Sequence, residues 1–235
     1  MPEALSEWGP HGIEALALRA TVFVIVDILS FSTAVDVAVS RGGMVVPFVP
    51  GDPAAAAMAA RAAGAVLATR REERGQFSLS PASLRSMPAG TRLLLPSPNG
   101  SRLSLQCGDA QVFAGCLRNA AAVAAAARQL SDGGDIAVIP AGERWRTDNS
   151  LRPAIEDLIG AGAILDALDL PLSAEARLAR NAFRAANDRL DQTIRDSVSG
   201  RELVDRGFSE DVDLAVEWNV SRCAPVLRSG VYEAY

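Results

Sequence analysis

Hydrophobic positions fall into short apolar runs that end in acidic or hydroxyl residues, and these runs alternate with segments of helical spacing. Residues 22–26 are apolar and mostly β-branched, which is typical of a strand buried on both faces of a sheet. The same pattern predicts further strands over residues 44–49, 65–69, 91–95, 111–114, 135–140 and 223–228.

Helices are predicted between these strands. Ser30, Ser32 and Thr33 are candidate N-caps for a helix that continues through residues 34–39. Further helices are predicted over residues 53–63, 120–130, 153–165 and 173–206. The alternation of strand and helix predicts an α/β fold of three layers, α/β/α, with a largely parallel or mixed sheet and a helical C-terminal third. We expect a single domain over residues 1–235, either as one unit or in two α/β halves.

Two segments interrupt this alternation. Residues 1–20 give only a weak strand or loop signal, and His11 lies there with nothing nearby to orient it for catalysis. Residues 70–90 combine a charged run with a run of serines. They are either a solvated loop with one capped helical turn or a loop that folds over a substrate.

The amino-acid composition argues against several kinds of catalytic and metal-binding site. All basic residues are arginine, which excludes a phosphate-binding Walker lysine and a Schiff-base lysine. Cys107, Cys116 and Cys223 form no C-x-x-C pair, and His11 is the only histidine. A zinc site and a Cys–His catalytic pair are therefore disfavoured, and the cysteines suit a reducing compartment.

The net charge and the hydropathy of the chain argue against nucleic acid and membranes as partners. The net charge is −5 without a basic patch, which argues against nucleic acid as a partner. We find no signal-peptide pattern and no uncharged apolar run of membrane-spanning length, so we expect a cytoplasmic protein without a membrane partner.

Acidic residues follow two of the predicted strands directly. Asp27 comes after residues 22–26, and Glu143 comes shortly after residues 135–140. In open α/β sheets, ligands bind at this carboxyl end of the strands, where carboxylates can hold the metal that accompanies phosphate. Glu156 and Asp157 lie in the first turn of a predicted helix. They are either further ligands or acids that stabilise the helix dipole.

Three other polar residues are candidate ligands of an anion, and two of them, Asn99 and Asn119, also have a structural interpretation. Asn99 lies in a Pro-Asn-Gly turn, which is either a plain turn or part of the site near Asp27. Arg118 precedes a helix N-terminus, where it would suit a phosphate or sulfonate. Asn119 is either an N-cap or a ligand of the same anion.

Five motifs in order resemble the 2-phosphosulfolactate phosphatase family. They are Asp27-Ile-Leu-Ser-Phe-Ser-Thr-Ala, Ser97-Pro-Asn-Gly-Ser-Arg102, Gly115-Cys-Leu-Arg-Asn-Ala120, Pro140-Ala-Gly-Glu143 and Ile155-Glu-Asp-Leu-Ile-Gly-Ala-Gly-Ala-Ile164. The segment from Gly200 to Val226 also resembles the C-terminal part of that family. Each motif is weak alone, whereas five in order are fairly specific.

The resemblance implies a magnesium-dependent hydrolase that removes phosphate from a small sulfonated 2-phospho acid. The chain departs from the family pattern at Ser30-Phe31, where the family usually has Arg-Ala, and at Ser199, where it often has histidine. The first departure removes a candidate anion-binding arginine, so the substrate itself is open.

We therefore expect Asp27, Glu143 and one or both of Glu156 and Asp157 to hold Mg²⁺. Asp27, Glu143 and Asn99 are the expected catalytic residues. The phosphoryl oxygens are expected to contact Asn99 and a set of hydroxyl, guanidinium and amide groups: Ser30, Ser32, Thr33, Arg118 and Asn119.

Water attack in line is favoured over a covalent aspartyl-phosphate, because Leu29 takes the place of the second aspartate of an Asp-x-Asp motif. The partner is a small phosphorylated anion, and a homo-oligomer is allowed. Two alternatives are a phosphatase of another small metabolite and a non-catalytic anion-binding protein.

Overall fold

A computed structural model describes residues 1–73 and 77–235 of the chain. Nine strands form one sheet in the order β1-β7-β2-β6-β10-β11-β3-β5-β4. Their bounds are β1 Ala4–Ser6, β2 Ala20–Val26, β3 Met44–Phe48, β4 Val66–Leu67, β5 Arg92–Pro96, β6 Gln111–Ala114, β7 Asp135–Pro140, β10 Pro225–Arg228 and β11 Val231–Ala234. A separate two-stranded ribbon pairs β8 Glu143–Arg144 with β9 Leu151–Arg152.

The large sheet is mixed and has two parallel parts. Strands β1, β7, β2 and β6 pair in parallel, and so do β3, β5 and β4. The C-terminal hairpin β10–β11 lies between them and pairs antiparallel to β6 on one side and to β3 on the other. The end of the chain thus joins the two parallel parts into one sheet, and the division into domains stays a prediction.

Helices cover both faces of the sheet. They are α1 Gly9–Leu16, α2 Phe31–Ser40, α3 Pro53–Ala62, α4 Pro81–Leu84, α5 Gly100–Gln106, α6 Ala120–Leu130, α7 Ile155–Leu168, α8 Ala174–Ala186, α9 Leu190–Arg195, α10 Val198–Asp205 and α11 Ser209–Ala215. Along β2, Val22, Val24 and Val26 pack with α6 and α7 in one core cluster, whereas Phe23 and Ile25 belong to the cluster of α1, α2 and α5. This alternation explains why β2 is apolar at nearly every position.

The predicted fold class is confirmed, including the parallel pairing and the helical C-terminal third. Local differences occur where tertiary contacts decide. The weak signal over residues 1–20 becomes β1 and α1, because β1 gains its partner only from the distant β7. The final strand turns back as β11, which we did not predict. Residues 74–76 of the predicted loop over 70–90 lie outside the described residues, and α4 is its capped helical turn.

One negative finding bears on the membrane prediction. None of the helices within residues 1–73 and 77–235 combines the length and apolarity that crossing a bilayer requires.

Candidate active site

The carboxyl ends of β2 and β7 are neighbours, and they bring Asp27 close to Glu143. Asp27 is 6% exposed and lies where β2 gives way to α2. The backbone N–H of Phe31 donates to its Oδ1 at 3.2 Å, and the N–H of Gly100 donates to its Oδ2 at 2.9 Å. The first turns of α2 and α5 therefore hold this carboxylate from two sides, as backbone N–H groups at helix starts hold anions.

Gly100 is required for that arrangement. A Cβ at this position would lie 2.1 Å from Cδ1 of Phe31, so only a residue without a side chain lets α5 approach α2 so closely. This contact crosses the sheet, since β5, which precedes Gly100, belongs to the other parallel part. Asn99 and Asp27 are therefore brought together, as the Pro-Asn-Gly turn suggested.

Glu143 lies at the start of β8, and the amide of Asn99 holds it. Nδ2 of Asn99 donates to Oε2 of Glu143 at 3.0 Å. The pKa of Glu143 is raised to about 7, mainly by burial and also by the negative charges of Asp27 and Glu156, whereas the Asn99 hydrogen bond opposes the rise. Such a carboxylate can accept and release a proton near neutral pH.

The pKa of Asp27 is raised to about 6, mainly by burial. The hydrogen bonds from Phe31 and Gly100 lower it, and the charge of Glu156 raises it. Asp27, Glu143 and Glu156 thus share one electrostatic environment, in which each added negative charge is unfavourable. A bound cation would relieve that repulsion.

Asp157 has a structural role beside Asp27 and Glu156. Its Oδ1 accepts from the N–H of Ile28 at 2.8 Å, and its Oδ2 accepts from the N–H of Gly142 at 2.9 Å. The side chain is 3% exposed, and burial, followed by the charges of Asp27 and Glu156, raises its pKa well above the usual value. Asp157 ties the ends of β2 and β7 together, so its place next to the metal-binding candidates is explained without a metal contact.

Glu156, in the first turn of α7, is 2% exposed. Within the described part of the chain, no side-chain or backbone group donates a hydrogen bond to its carboxylate. It is therefore the buried acid of this group whose oxygens are free for a ligand.

The donor chemistry fits a magnesium site with few protein ligands. Among residues 1–73 and 77–235, no three His, Cys, Asp or Glu side chains come close enough to hold a metal as a group. Mg²⁺ commonly takes one or two carboxylates and completes its octahedron with water and phosphate oxygens. A preformed cage of three or four acids is thus absent from the described part of the chain, and the expected Mg²⁺ ligands stay a prediction.

Ser32 and Thr33 stabilise the turn between β2 and α2. Both are completely buried. The hydroxyl of Ser32 accepts from the N–H of Asp27 at 3.0 Å and donates to the carbonyl of Ile25 at 2.9 Å, and that of Thr33 donates to the carbonyl of Ile28 at 2.8 Å. These hydroxyls are occupied, so the structure does not support the expected phosphate contacts of Ser32 and Thr33, and the contact of Ser30 stays a prediction.

Arg118 and Asn119 lie elsewhere and serve the fold. Nε of Arg118 donates to Oδ2 of the buried Asp36 at 2.8 Å, and Glu217 pairs with its Nη1. Asn119 is fully buried; its Oδ1 accepts from the N–H of Cys116 at 2.8 Å, and its Nδ2 donates to the carbonyl of Ala114 at 3.2 Å. We therefore withdraw both from the phosphate-binding set.

A cleft of about 590 Å³ opens beside Glu143. Its apolar wall includes Phe48, Leu67 and Leu79, and its polar wall includes Glu143, Ser199 and Arg71. Nη2 of Arg71 donates to Oγ of Ser30 at 2.7 Å. Sequence reasoning did not single out Arg71; the only signal was its place in the charged run of a loop that was considered as a substrate cover.

A second arginine approaches Glu143. The charge of Arg152 in β9 opposes the rise in the pKa of Glu143. Its Nη2 donates to Oγ of Ser199 at 3.3 Å, and its guanidinium lies 5.9 Å from the ring centre of Trp145. The ribbon of β8 and β9 thus pairs Glu143, which lines the cleft, with Arg152 on the neighbouring strand.

Comparisons with known proteins identify the family of this chain. A profile described as 2-phosphosulpholactate phosphatase matches residues 10–230. The 2-phosphosulfolactate phosphatase of Methanothermobacter thermautotrophicus is 33% identical over 214 residues, which cover 89% of this chain and 88% of that protein. A Thermotoga petrophila protein named "Probable 2-phosphosulfolactate phosphatase" is 24% identical over 215 residues, 89% of this chain and 90% of that protein. The chain belongs to the 2-phosphosulfolactate phosphatase family, whose members are phosphoric monoester hydrolases.

Proposed function

We propose that this chain hydrolyses a small sulfonated 2-phospho acid, 2-phosphosulfolactate, to the 2-hydroxy acid and phosphate. The observation that carries the proposal is the placement of Asp27 and Glu143 by Gly100 and Asn99 at one edge of the sheet. The names of the family and of its relatives support the choice of substrate.

Asp27 and Glu156 are the proposed ligands of Mg²⁺, because both are buried and each feels the charge of the other. When bound, the ion neutralises charge on the phosphoryl oxygens. The N–H groups of Phe31 and Gly100 fix the Asp27 carboxylate for this role, and Asp157 keeps the ends of β2 and β7 in register.

Glu143 is the proposed general base. It lines the cleft and has a pKa near neutral, and Asn99 orients its carboxylate. We propose that Glu143 accepts the proton of the attacking water as its oxygen bonds to phosphorus and the bond from phosphorus to the 2-oxygen breaks, while Ser30 contacts a phosphoryl oxygen. The departing 2-oxygen takes a proton from solvent and leaves as the 2-hydroxy acid. A covalent route through Asp27 is less favoured, because both of its oxygens already accept backbone hydrogen bonds that stabilise the unreacted carboxylate.

Phosphate release from 2-phosphosulfolactate tests this function. The wild type should release phosphate with Mg²⁺, and an excess of EDTA should abolish the release. Asp27→Asn should remove the metal-dependent rate, whereas Asp188→Asn, at an exposed position, should not.

The outcomes separate the alternatives. Release from other phosphorylated acids but not from 2-phosphosulfolactate would replace the proposed substrate. Tight binding of the anion without any release would identify a non-catalytic binding protein. Full activity in EDTA would remove Mg²⁺ from the proposal.

Location and assembly remain proposals. Cys107, Cys116 and Cys223 are all free thiols, which suits a reducing, cytoplasmic compartment. Cell fractionation tests the location, and light scattering of the purified protein tests for a homo-oligomer.

A further inference from the structure

Arg71 is a charged side chain of the cleft that the fold holds away from bulk water. Its side chain is 11% exposed. Burying a guanidinium costs free energy unless hydrogen bonds and opposite charges compensate.

Three contacts anchor the guanidinium. Nη2 donates to Oγ of Ser30 at 2.7 Å and to the carbonyl of Leu79 at 3.2 Å. The ring centre of Phe208 lies 5.2 Å from Cζ of Arg71, a distance typical of a cation–π contact. The plane of the guanidinium is thus fixed by groups from three separate segments of the chain.

Asp211 is the negatively charged partner of Arg71, but it accepts no hydrogen bond from the guanidinium. Oδ2 of Asp211 lies 3.5 Å from Nε of Arg71, and this buried oxygen has no hydrogen-bond partner in the described part of the chain. Its Oδ1 accepts instead from the hydroxyl of Ser80 at 2.5 Å and from the N–H of Ala82 at 3.1 Å. Asp211 therefore fixes α4 and stabilises the charge of Arg71 at the same time.

One edge of the guanidinium remains available. An arginine side chain carries five N–H donors, two of them on Nη1. Within residues 1–73 and 77–235, no group accepts a hydrogen bond from Nη1 of Arg71, although the side chain lines the cleft. An oxyanion in the cleft is the ligand that such an edge suits, because a guanidinium fork matches its oxygens.

The position of Arg71 relative to the acidic residues indicates which oxyanion. Ser30, its hydrogen-bond partner, directly precedes Phe31, whose N–H holds Asp27. Arg71 and Glu143 line the same cleft. Glu143 and Arg71 thus give the polar wall of the cleft one acid and one base, and Arg71 suits a second anion on a molecule whose phosphoryl group lies beside Glu143.

We propose that Arg71 binds the non-transferred anionic group of the substrate, the sulfonate of 2-phosphosulfolactate, through its Nη1 edge. This inference rests on the proposed function, since it assigns a group of that substrate. Ser30, Leu79, Phe208 and Asp211 are positioning residues that hold the guanidinium ready for it.

Binding of the product 3-sulfolactate, measured by calorimetry, tests the assignment without turnover. Arg71→Gln should bind it roughly 10- to 150-fold more weakly, as expected for the loss of charge-assisted hydrogen bonds. Arg85→Gln is the matched control, because Arg85 is an exposed arginine that pairs with Glu210, the neighbour of Asp211. It should bind 3-sulfolactate as the wild type does.

A second ligand identifies the contacted group. Lactate, in which a methyl group replaces the sulfonomethyl group, should bind wild type and Arg71→Gln equally weakly. A difference between the two proteins with lactate would show that Arg71 contacts the carboxylate, which overturns the assignment. Equal 3-sulfolactate affinity for wild type and Arg71→Gln, or no binding by the wild type, would overturn it as well.

A folding control accompanies these variants. Arg71→Gln leaves the buried carboxylate of Asp211 without a charge partner, so the double variant Arg71→Gln/Asp211→Asn is measured too. The double variant should show the same loss of 3-sulfolactate affinity with a melting temperature closer to that of the wild type. A wild type that binds 3-sulfolactate through Arg71 but releases no phosphate would contradict the proposed function and leave this assignment intact.

Discussion

The amide of Asn99 donates a 3.0 Å hydrogen bond to Glu143 and thereby joins the loop after β5 to the start of β8. Asn99 follows β5 of one parallel part of the sheet and Glu143 follows β7 of the other, so the bond connects the segments that leave these two parts. It also opposes the burial that raises the pKa of Glu143.

Replacing Asn99 with alanine should therefore change the pH dependence. Without its donor, Glu143 should have a still higher pKa, and the acidic limb of the kcat profile should move to higher pH. We expect kcat at pH 7 to fall by roughly 10-fold or more, since removing one donor of a charged hydrogen bond costs at least about 1.5 kcal/mol. Asn187→Ala, at an exposed position, is the control and should keep the wild-type profile. An unmoved limb in Asn99→Ala would refute the coupling.

Gly100→Ala should damage both fold and activity. The added methyl would lie 2.1 Å from Phe31, so α5 must move and take with it the N–H that donates to Asp27. We expect a loss of about 1–3 kcal/mol in the free energy of unfolding, measured with urea, together with a fall in kcat. Gly51→Ala is the comparison for stability, because a Cβ there meets no atom within 4 Å. Equal unfolding midpoints for the two variants would count against the close contact.

Metal-free protein should lose stability as the pH rises from about 4 to 7. The pKa of Asp27 rises from 3.8 to about 6 on folding, and that of Glu143 from 4.5 to about 7. The folded state therefore binds more protons than the unfolded chain in this range, and stability present below the unfolded pKa values is lost as the pH passes the folded ones. Each carboxylate contributes on the order of 3 kcal/mol to this change.

Urea unfolding in EDTA at several pH values measures the slope of the free energy of unfolding against pH. Glu143→Gln should flatten it, and added Mg²⁺ should restore stability at pH 7 if the acids bind the ion. Stability that rises between pH 4 and 7 in EDTA would contradict the raised pKa values of Asp27 and Glu143.

We expect Arg118 to stabilise the fold and not to bind the substrate. It pairs with Asp36, which is fully buried and also accepts a hydrogen bond from Ser221 at 2.6 Å. Arg118→Met would leave that carboxylate buried without its cation, which costs about 3–5 kcal/mol of unfolding free energy. The KM of the folded variant for 2-phosphosulfolactate should stay unchanged. Arg128→Met, on the exposed face of α6, is the control for stability. If Arg118→Met instead raises the KM and leaves the free energy of unfolding unchanged, Arg118 binds phosphate after all.

The placement of the acids was predictable because it follows from chain topology. Buried apolar runs predict neighbouring parallel strands, and residues that follow such strands meet at one edge, as Asp27 and Glu143 do. The same logic placed Asn99 near Asp27. It needed only the period of the hydrophobic pattern and the rule that ligands bind at the carboxyl ends of strands.

The detailed roles were not predictable, because they depend on contacts between residues far apart along the chain. Arg71 meets Ser30 across 41 positions, and nothing local to either residue indicates that pairing. Ser32, Thr33 and Asn119 have the side chains that phosphate sites use, but the same hydroxyl and amide groups also satisfy turns and caps. Only the three-dimensional arrangement shows which groups are already occupied.

The kcat of Glu143→Gln with 2-phosphosulfolactate and Mg²⁺ tests the central claim most directly, because glutamine keeps the size of the side chain and removes the basic carboxylate. We predict a fall of roughly 10²- to 10⁴-fold, with loss of the acidic limb of the pH profile and an unchanged rate in the exposed control Glu175→Gln. A kcat and an acidic limb like those of the wild type would contradict the account.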